Sequence, residues 1–354
     1  MKRLLCLGCA LLALTLWARC AELPKDLHRA VPERAQELLR GEELSDPKTV
    51  GSLLEKLALQ AEDVLRQRVR GAASVLLVVI LCGAVEGFPF AAGGKTAVFL
   101  PMVGALTVTF LTAGSLDSLI GLGAETIGQL DTFAKVLLPT LAAALASSGQ
   151  VSTAAFQQTT TVFLVNLLMD LIDGLLLPLV YLYIGVLTAS ACLPEGRLNA
   201  LAEGLKKTVT WLLTSVLLAF TLYLTVARVI AGAADGAAVK LAKAAISGAV
   251  PVVGGIIADA SETVLAGAGM LKNTVGVFGT LAILAACAYP FLQLGIQYLL
   301  YKLTAFLASA VGAPGLCKLI DGLGSAFGLV LGMTGSCALL LLVSVLSAVA
   351  AVTP

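Results

Sequence analysis

The chain has 354 residues, 58% of them hydrophobic and only 13% charged, with a formal net charge of +1 and a mean hydropathy of +0.97. Soluble domains carry about one quarter charged residues, so this composition excludes an ordinary globular enzyme and points to an all-α, polytopic integral membrane protein. The near-neutral balance argues against electrostatic binding of nucleic acid.

Residues 1–20 read as a secretory signal: Lys2 and Arg3, an apolar core from Leu4 to Trp17, then Ala18-Arg19-Cys20 before Ala21. Cleavage after Cys20 and retention as an uncleaved anchor both remain open. Residues 21–71 form a small extracytoplasmic helical region. Asp46 and Pro47 make a helix start. Val50, Leu53, Leu54, Leu57, Ala61, Val64 and Leu65 then repeat at helical spacing, opposite Glu55, Lys56, Glu62, Asp63 and Arg66. One amphipathic helix makes a poor core, so this head is expected to rest on the membrane or on a partner.

Residues 72–354 form the multipass membrane domain. The segments 72–90 and 96–116 each approach the ~20 residues a span needs and make a helical hairpin. A polar interval follows at 117–135. The apolar run 136–146 is short for a crossing and contains Pro139, so 136–158 is expected to be a re-entrant, half-membrane hairpin. Next come a long apolar stretch at 159–191, a small amphipathic helix at 193–207 and a span at 209–231. An irregular region at 233–276, a span at 277–300, a mixed segment at 301–323 and a last span at 324–352 complete the chain. A cleaved signal puts the head outside and Lys95, Arg197, Lys206, Lys207, Lys302 and Lys318 inside, as the positive-inside tendency asks. Arg66, Arg68 and Arg70 break that tendency.

The stretch 251–276 is too polar for an ordinary span and too apolar for a solvated loop. Pro251, Gly254 and Gly255 interrupt whatever helix precedes it. Ile257, Ala260, Val264, Ala268, Leu271 and Val275 then form one apolar stripe, with Asp259, Glu262 and Asn273 pointing away. Lys272 lies ten residues beyond Glu262, too far for an in-helix ion pair. Two readings stand: a surface amphipathic helix, or a broken helix facing a cavity or partner.

Asp170 and Asp173 are three apart, on one helix face, within an apolar stretch. A charge at the bilayer centre costs about 2.5–3.5 kcal/mol even on lenient scales. They read either as a conduit or proton-coupling pair, or as a polar kink between two shorter helices ahead of Gly174 and Pro178. Glu86 fits the water boundary of the first span. Gly324, Gly328 and Gly332 recur every fourth residue, a helix-packing ridge whose partner is another helix or a second copy of the chain. Gly93-Gly94-Lys95-Thr96 lacks the upstream glycine of a phosphate-binding loop, because Phe90 occupies its place. The single histidine, His28, and the scattered cysteines (Cys6 and Cys9 in the signal-like run, five from Cys82 to Cys337 in apolar stretches) predict no metal site, no cofactor and no catalytic centre.

Several stretches together resemble the stage III sporulation protein AE family. KVLLPTLAAALASSGQVSTAAF (135–156) is similar to that family's short hairpin. PVVGG with Asp259, Glu262 and LKNTVG (251–276) is similar to its longest motif, and Tyr301-Lys302-Leu303 with the glycine-rich 312–315 to its C-terminal part. The resemblance implies a multipass, permease-like component of a mother-cell-to-forespore channel, made in the mother cell and placed in the membrane engulfing the forespore. It implies, as partners, the other stage III A operon proteins and, directly or indirectly, stage II sporulation protein Q. The residues themselves leave two other functions open: a stand-alone secondary transporter coupling protons through Asp170 and Asp173, and a scaffold that docks partners.

Overall fold

The computed structural model describes residues 25–39, 48–86, 96–148, 151–193, 198–249, 254–310 and 314–349, with the backbone alone over 25–26, 39, 48–55, 86, 96–98, 153, 156–158, 224, 227–249 and 254–272. Every described element is helical: α1 (Lys25–Ala30), α2 (Glu33–Leu39), α3 (Lys48–Glu86), α4 (Thr96–Ser147), α5 (Val151–Leu171), a π turn (Ile172–Leu176), α6 (Leu177–Cys192), α7 (Asn199–Ala249), α8 (Gly254–Ser309) and α9 (Pro314–Val349). Where water is absent, a backbone must satisfy its own N–H and C=O groups, and a helix does so within one segment. Six segments among the described residues are long and apolar enough to cross a membrane: Lys56–Val85, Phe99–Ser147, Thr159–Cys192, Asn199–Tyr223, Asn273–Ser309 and Pro314–Val349. Each overlaps a span or a long apolar stretch expected from the sequence.

The helices are longer than the hydropathy breaks suggest. The second span, the polar interval and the short apolar run all belong to α4, which passes through Pro139 and ends at Ser147. The stretch 136–158 supplies the last turns of α4 and the first turns of α5, two helices that pack against each other. A proline inside a helix costs about 3 kcal/mol, whereas burying one leucine returns about 1.5–3 kcal/mol. Leu137, Leu138, Leu141 and Leu145 around Pro139 are all buried, so packing overrides the break. The amphipathic segment at 193–207 and the span after it likewise merge into α7. The region 233–276, expected to be irregular, is helical on both sides of a gap between Ala249 and Gly254. Alanine, the best helix former, dominates there and outweighs the glycines. Pro251 lies outside the described residues, as do 1–20.

α8 and α9 form the antiparallel centre of the bundle. Gly324 of α9 faces the Tyr301 Cβ of α8, and Gly328 faces the ring of Tyr298. A Cβ on Gly324 would sit 3.1 Å from that Tyr301 carbon. Near the other end Gly276 meets Val349, again with no room for a side chain. α4 packs against both helices, α3 against α8, and α6 and α7 against α9. The described part of the N-terminal region rests on the chain's own bundle: Leu27, Val31, Ala35 and Leu38 join the main core. α3 itself runs across the boundary drawn at residue 71, carrying the amphipathic helix and the first span as one 39-residue rod.

Candidate functional site

Along α8 a polar stripe runs through the middle of the apolar bundle. Tyr289, Gln293, Gln297 and Tyr301 recur every fourth residue and Thr304 continues the row, so all five share one helix face. At 1.5 Å per residue the row is about 22 Å long, against a hydrocarbon core about 30 Å thick. Gln293 is 4% exposed, Gln297 3%, Tyr301 3% and Thr304 5%. From Gln293 to Thr304 the row is therefore interior, and Tyr289 at its start is half-buried.

Most of its members are paired. Arg68 of α3 donates from Nε and Nη2 to Gln293 Oε1, at 3.1 and 2.9 Å. Gln293 Nε2 in turn donates to the Tyr289 hydroxyl at 2.9 Å, and the Arg34 guanidinium lies 4.7 Å over the Tyr289 ring. The Tyr301 hydroxyl donates to Thr112 Oγ1 of α4 at 3.1 Å, while its ring meets Phe327 edge-on at 5.3 Å. Thr304 Oγ1 donates to the Leu300 carbonyl at 2.7 Å. Gln297 differs: its side-chain oxygen is buried with no hydrogen-bond partner among the described residues. A buried amide oxygen left unpaired costs about 1–3 kcal/mol.

The chemistry on offer is exchange of neutral hydrogen bonds. Two amides, two phenols and a hydroxyl supply it; the row holds no nucleophile paired with a base. Sequence reasoning passed over this row, although its signal was present as two glutamines four apart inside the expected span 277–300.

The residues singled out from sequence lie elsewhere. Asp170, in the last turn of α5, and Asp173, in the π turn, are both exposed, and no hydrogen bond joins either to the α8 row among the described residues. Asp131 of α4 is within electrostatic reach of Asp173, and Lys135 holds it at 2.7 Å. The π turn, closed by the Leu177 N–H on the Ile172 carbonyl, precedes Pro178, whose missing N–H could not have bonded the carbonyl four residues back. Gly324 and Gly328 contact α8 within the chain, whereas Gly332 is exposed, with Leu213 of α7 at an ordinary 3.7 Å. Gly254 and Gly255 open α8, and the backbone is helical at Asp259, Glu262 and Lys272, whose side chains lie outside the described residues. Asn273 is exposed.

Comparison with known proteins bears on this arrangement. The stage III sporulation protein AE of Bacillus subtilis (strain 168) is 28% identical over 216 residues, covering 61% of this chain and 54% of that protein. The chain thus spans about half the length of this curated relative. No solved structure matches. A family model described as stage III sporulation protein AE matches residues 33–352. That match takes in the polar row and every helix from α2 to α9, and the chain belongs to the stage III sporulation protein AE family.

Proposed function

We propose that the protein is the non-enzymatic, permease-like core of a channel serving the forespore, set in the mother-cell membrane that engulfs it. The reading rests on the α8 row. An apolar bundle has no structural need for a path of amides and phenols about 22 Å long, and an unpaired buried oxygen at Gln297 is a cost that a hydrated or occupied path removes. Membership in a sporulation family supports the cellular setting. The other stage III A operon proteins and stage II sporulation protein Q are the partners this reading calls for, and a second copy of the chain is a further one.

A stand-alone, proton-coupled transporter is the second reading, favoured only by the adjacency of Asp170 and Asp173. Their exposure, against the burial of the polar row, weighs against it. The test is complementation: cells lacking their own copy receive Gln293→Leu with Gln297→Leu, and heat-resistant spores are counted beside the amount of protein in the membrane fraction. Under the channel reading spores fall by orders of magnitude while the protein remains in the membrane. Normal spore counts, or synthesis of the chain during vegetative growth, would overturn it.

A further inference from the structure

At the end of the bundle where α6 and α9 meet the first turns of α7 and the last turns of α8, a cavity of about 480 Å³ opens. Its size falls within the range of small-ligand pockets. Three lysines line it, Lys206, Lys302 and Lys318, against two carboxylates, Glu203 and Asp321. Lys302 is matched: its Nζ lies 2.6 Å from Asp321 Oδ1. Lys206 is not. Its Nζ donates to Ser325 Oγ at 3.1 Å, and Lys302 Nζ donates to the same oxygen at 3.0 Å. That hydroxyl also gives its proton to the Asp321 carbonyl at 3.0 Å. Two acceptances and one donation use up the hydroxyl's capacity. Among the described residues Lys206 and Lys318 have no carboxylate partner, so two ammonium groups with spare donors face one cavity. Phe306 forms part of its wall and is 72% exposed, which opens the cavity toward the bundle's apolar flank.

We infer that this cavity binds a phosphate group, with Lys206 and Lys318 neutralising it and Lys302–Asp321 holding the floor. Lysine is a point-charge ligand for phosphate, and basic pockets between membrane helices take phospholipid headgroups. The phosphate can come from an anionic phospholipid whose chains run past Phe306, or from a free phosphate compound; the chemistry is shared. Nothing in the inference depends on the channel reading, because the cavity lies at the end of the bundle and involves none of the α8 row.

The full-length protein, purified in neutral detergent, is titrated with phosphatidylglycerol, with phosphatidylcholine and with inorganic phosphate, following its unfolding midpoint and the binding of a fluorescent phosphatidylglycerol. Binding of phosphatidylglycerol but not phosphatidylcholine supports a lipid source; a midpoint raised equally by inorganic phosphate supports a free one. Lys206→Gln and Lys318→Gln should each weaken binding about fivefold, since a lysine near an anionic surface contributes about 1 kcal/mol. Lys207→Gln, exposed and outside the cavity, should leave it unchanged. Lys206→Arg keeps the charge and should retain binding, which separates lost affinity from lost folding. No binding of either anionic probe, or equal loss with Lys207→Gln, overturns the inference.

Discussion

Replacing Gln297 by leucine separates two explanations of the α8 row. The two side chains are close in volume, and the leucine meets a site whose present oxygen has no partner. If the row is only an awkward piece of core, removing an unpaired buried oxygen stabilises the fold by about 1–3 kcal/mol, a factor of roughly 5 to 150 in the unfolding equilibrium. Gln293 is the built-in control. It carries two donations from Arg68, and Gln293→Leu leaves that guanidinium without its acceptor, a loss of about 1.5–3 kcal/mol for a bond to a charged group. Two neighbouring glutamines on one face should therefore move stability in opposite directions. Unfolding midpoints of the purified chain in mild detergent measure the signs, and heat-resistant spore counts in complemented cells measure function. The expected result for Gln297→Leu is a higher midpoint together with fewer spores, the signature of a group kept at a structural cost. A lower midpoint would refute the reasoning, because leucine would then have removed a bond that the Gln297 amide makes, the Tyr301 hydroxyl four residues on being within its reach. A higher midpoint with normal spores would reduce the row to packing.

Further substitutions test the surrounding framework. Gly324→Val drives a side chain toward the Tyr301 Cβ at 3.1 Å and the Lys302 backbone nitrogen at 3.6 Å. It should cost about 1–3 kcal/mol by overpacking, while Gly332→Val, facing only Leu213, should be near neutral in the same unfolding assay. Tyr301→Phe removes the bond to Thr112 and should lower the midpoint by the equivalent of about 0.5–1.5 kcal/mol. A double-mutant cycle of Arg68→Met with Gln293→Leu should return a coupling of about 0.5–3 kcal/mol; additive effects would mean that the two do not interact. Asp170→Asn with Asp173→Asn should leave spore counts unchanged, and their collapse would restore the transporter reading.

The six apolar windows could be read from composition because each holds a long stretch with few charged residues. The lengths of the helices could not. Hydropathy reports where water is excluded, whereas helix ends depend on caps and breaks, and Pro139 shows tertiary packing carrying a helix through a nominal stop. Facing was the other blind spot. Asp170 and Asp173 give a sharp signal, yet spacing along one helix says only that they share a face, and both are exposed. Gln293 and Gln297 have the same kind of spacing, and theirs turns inward. Only contacts from α3 and α4, more than 150 residues away in the chain, decide between the two. Packing partners of the glycine ridge were hidden for the same reason: GxxxG announces a close approach without saying to what.

Helix length also locates the acidic motif of the central stretch. α8 has 56 residues, about 84 Å at 1.5 Å per residue. A bilayer with its headgroups is about 40–45 Å thick, and a helix tilted by 40° crosses it in about 59 Å. Some 25 Å, about 17 residues, must then lie beyond the membrane. The stretch 273–301 holds no Asp, Glu, Lys or Arg, whereas 254–272 carries Asp259, Glu262 and Lys272, so the surplus falls on the 254–272 end. That end is expected to stand in water or against a partner, continuous with a membrane helix and not a break within one. Asp259→Cys should react with a membrane-impermeant maleimide in intact membranes to an extent the unsubstituted chain does not. Charge reversal by Asp259→Lys with Glu262→Lys should change the unfolding midpoint little, since exposed substitutions stay within about 0.5 kcal/mol each. Spore counts should nonetheless fall if a partner reads these charges. An Asp259→Cys chain inert to the reagent until detergent is added would place this arm in lipid, and the surplus length would then have to emerge at the Ser309 end.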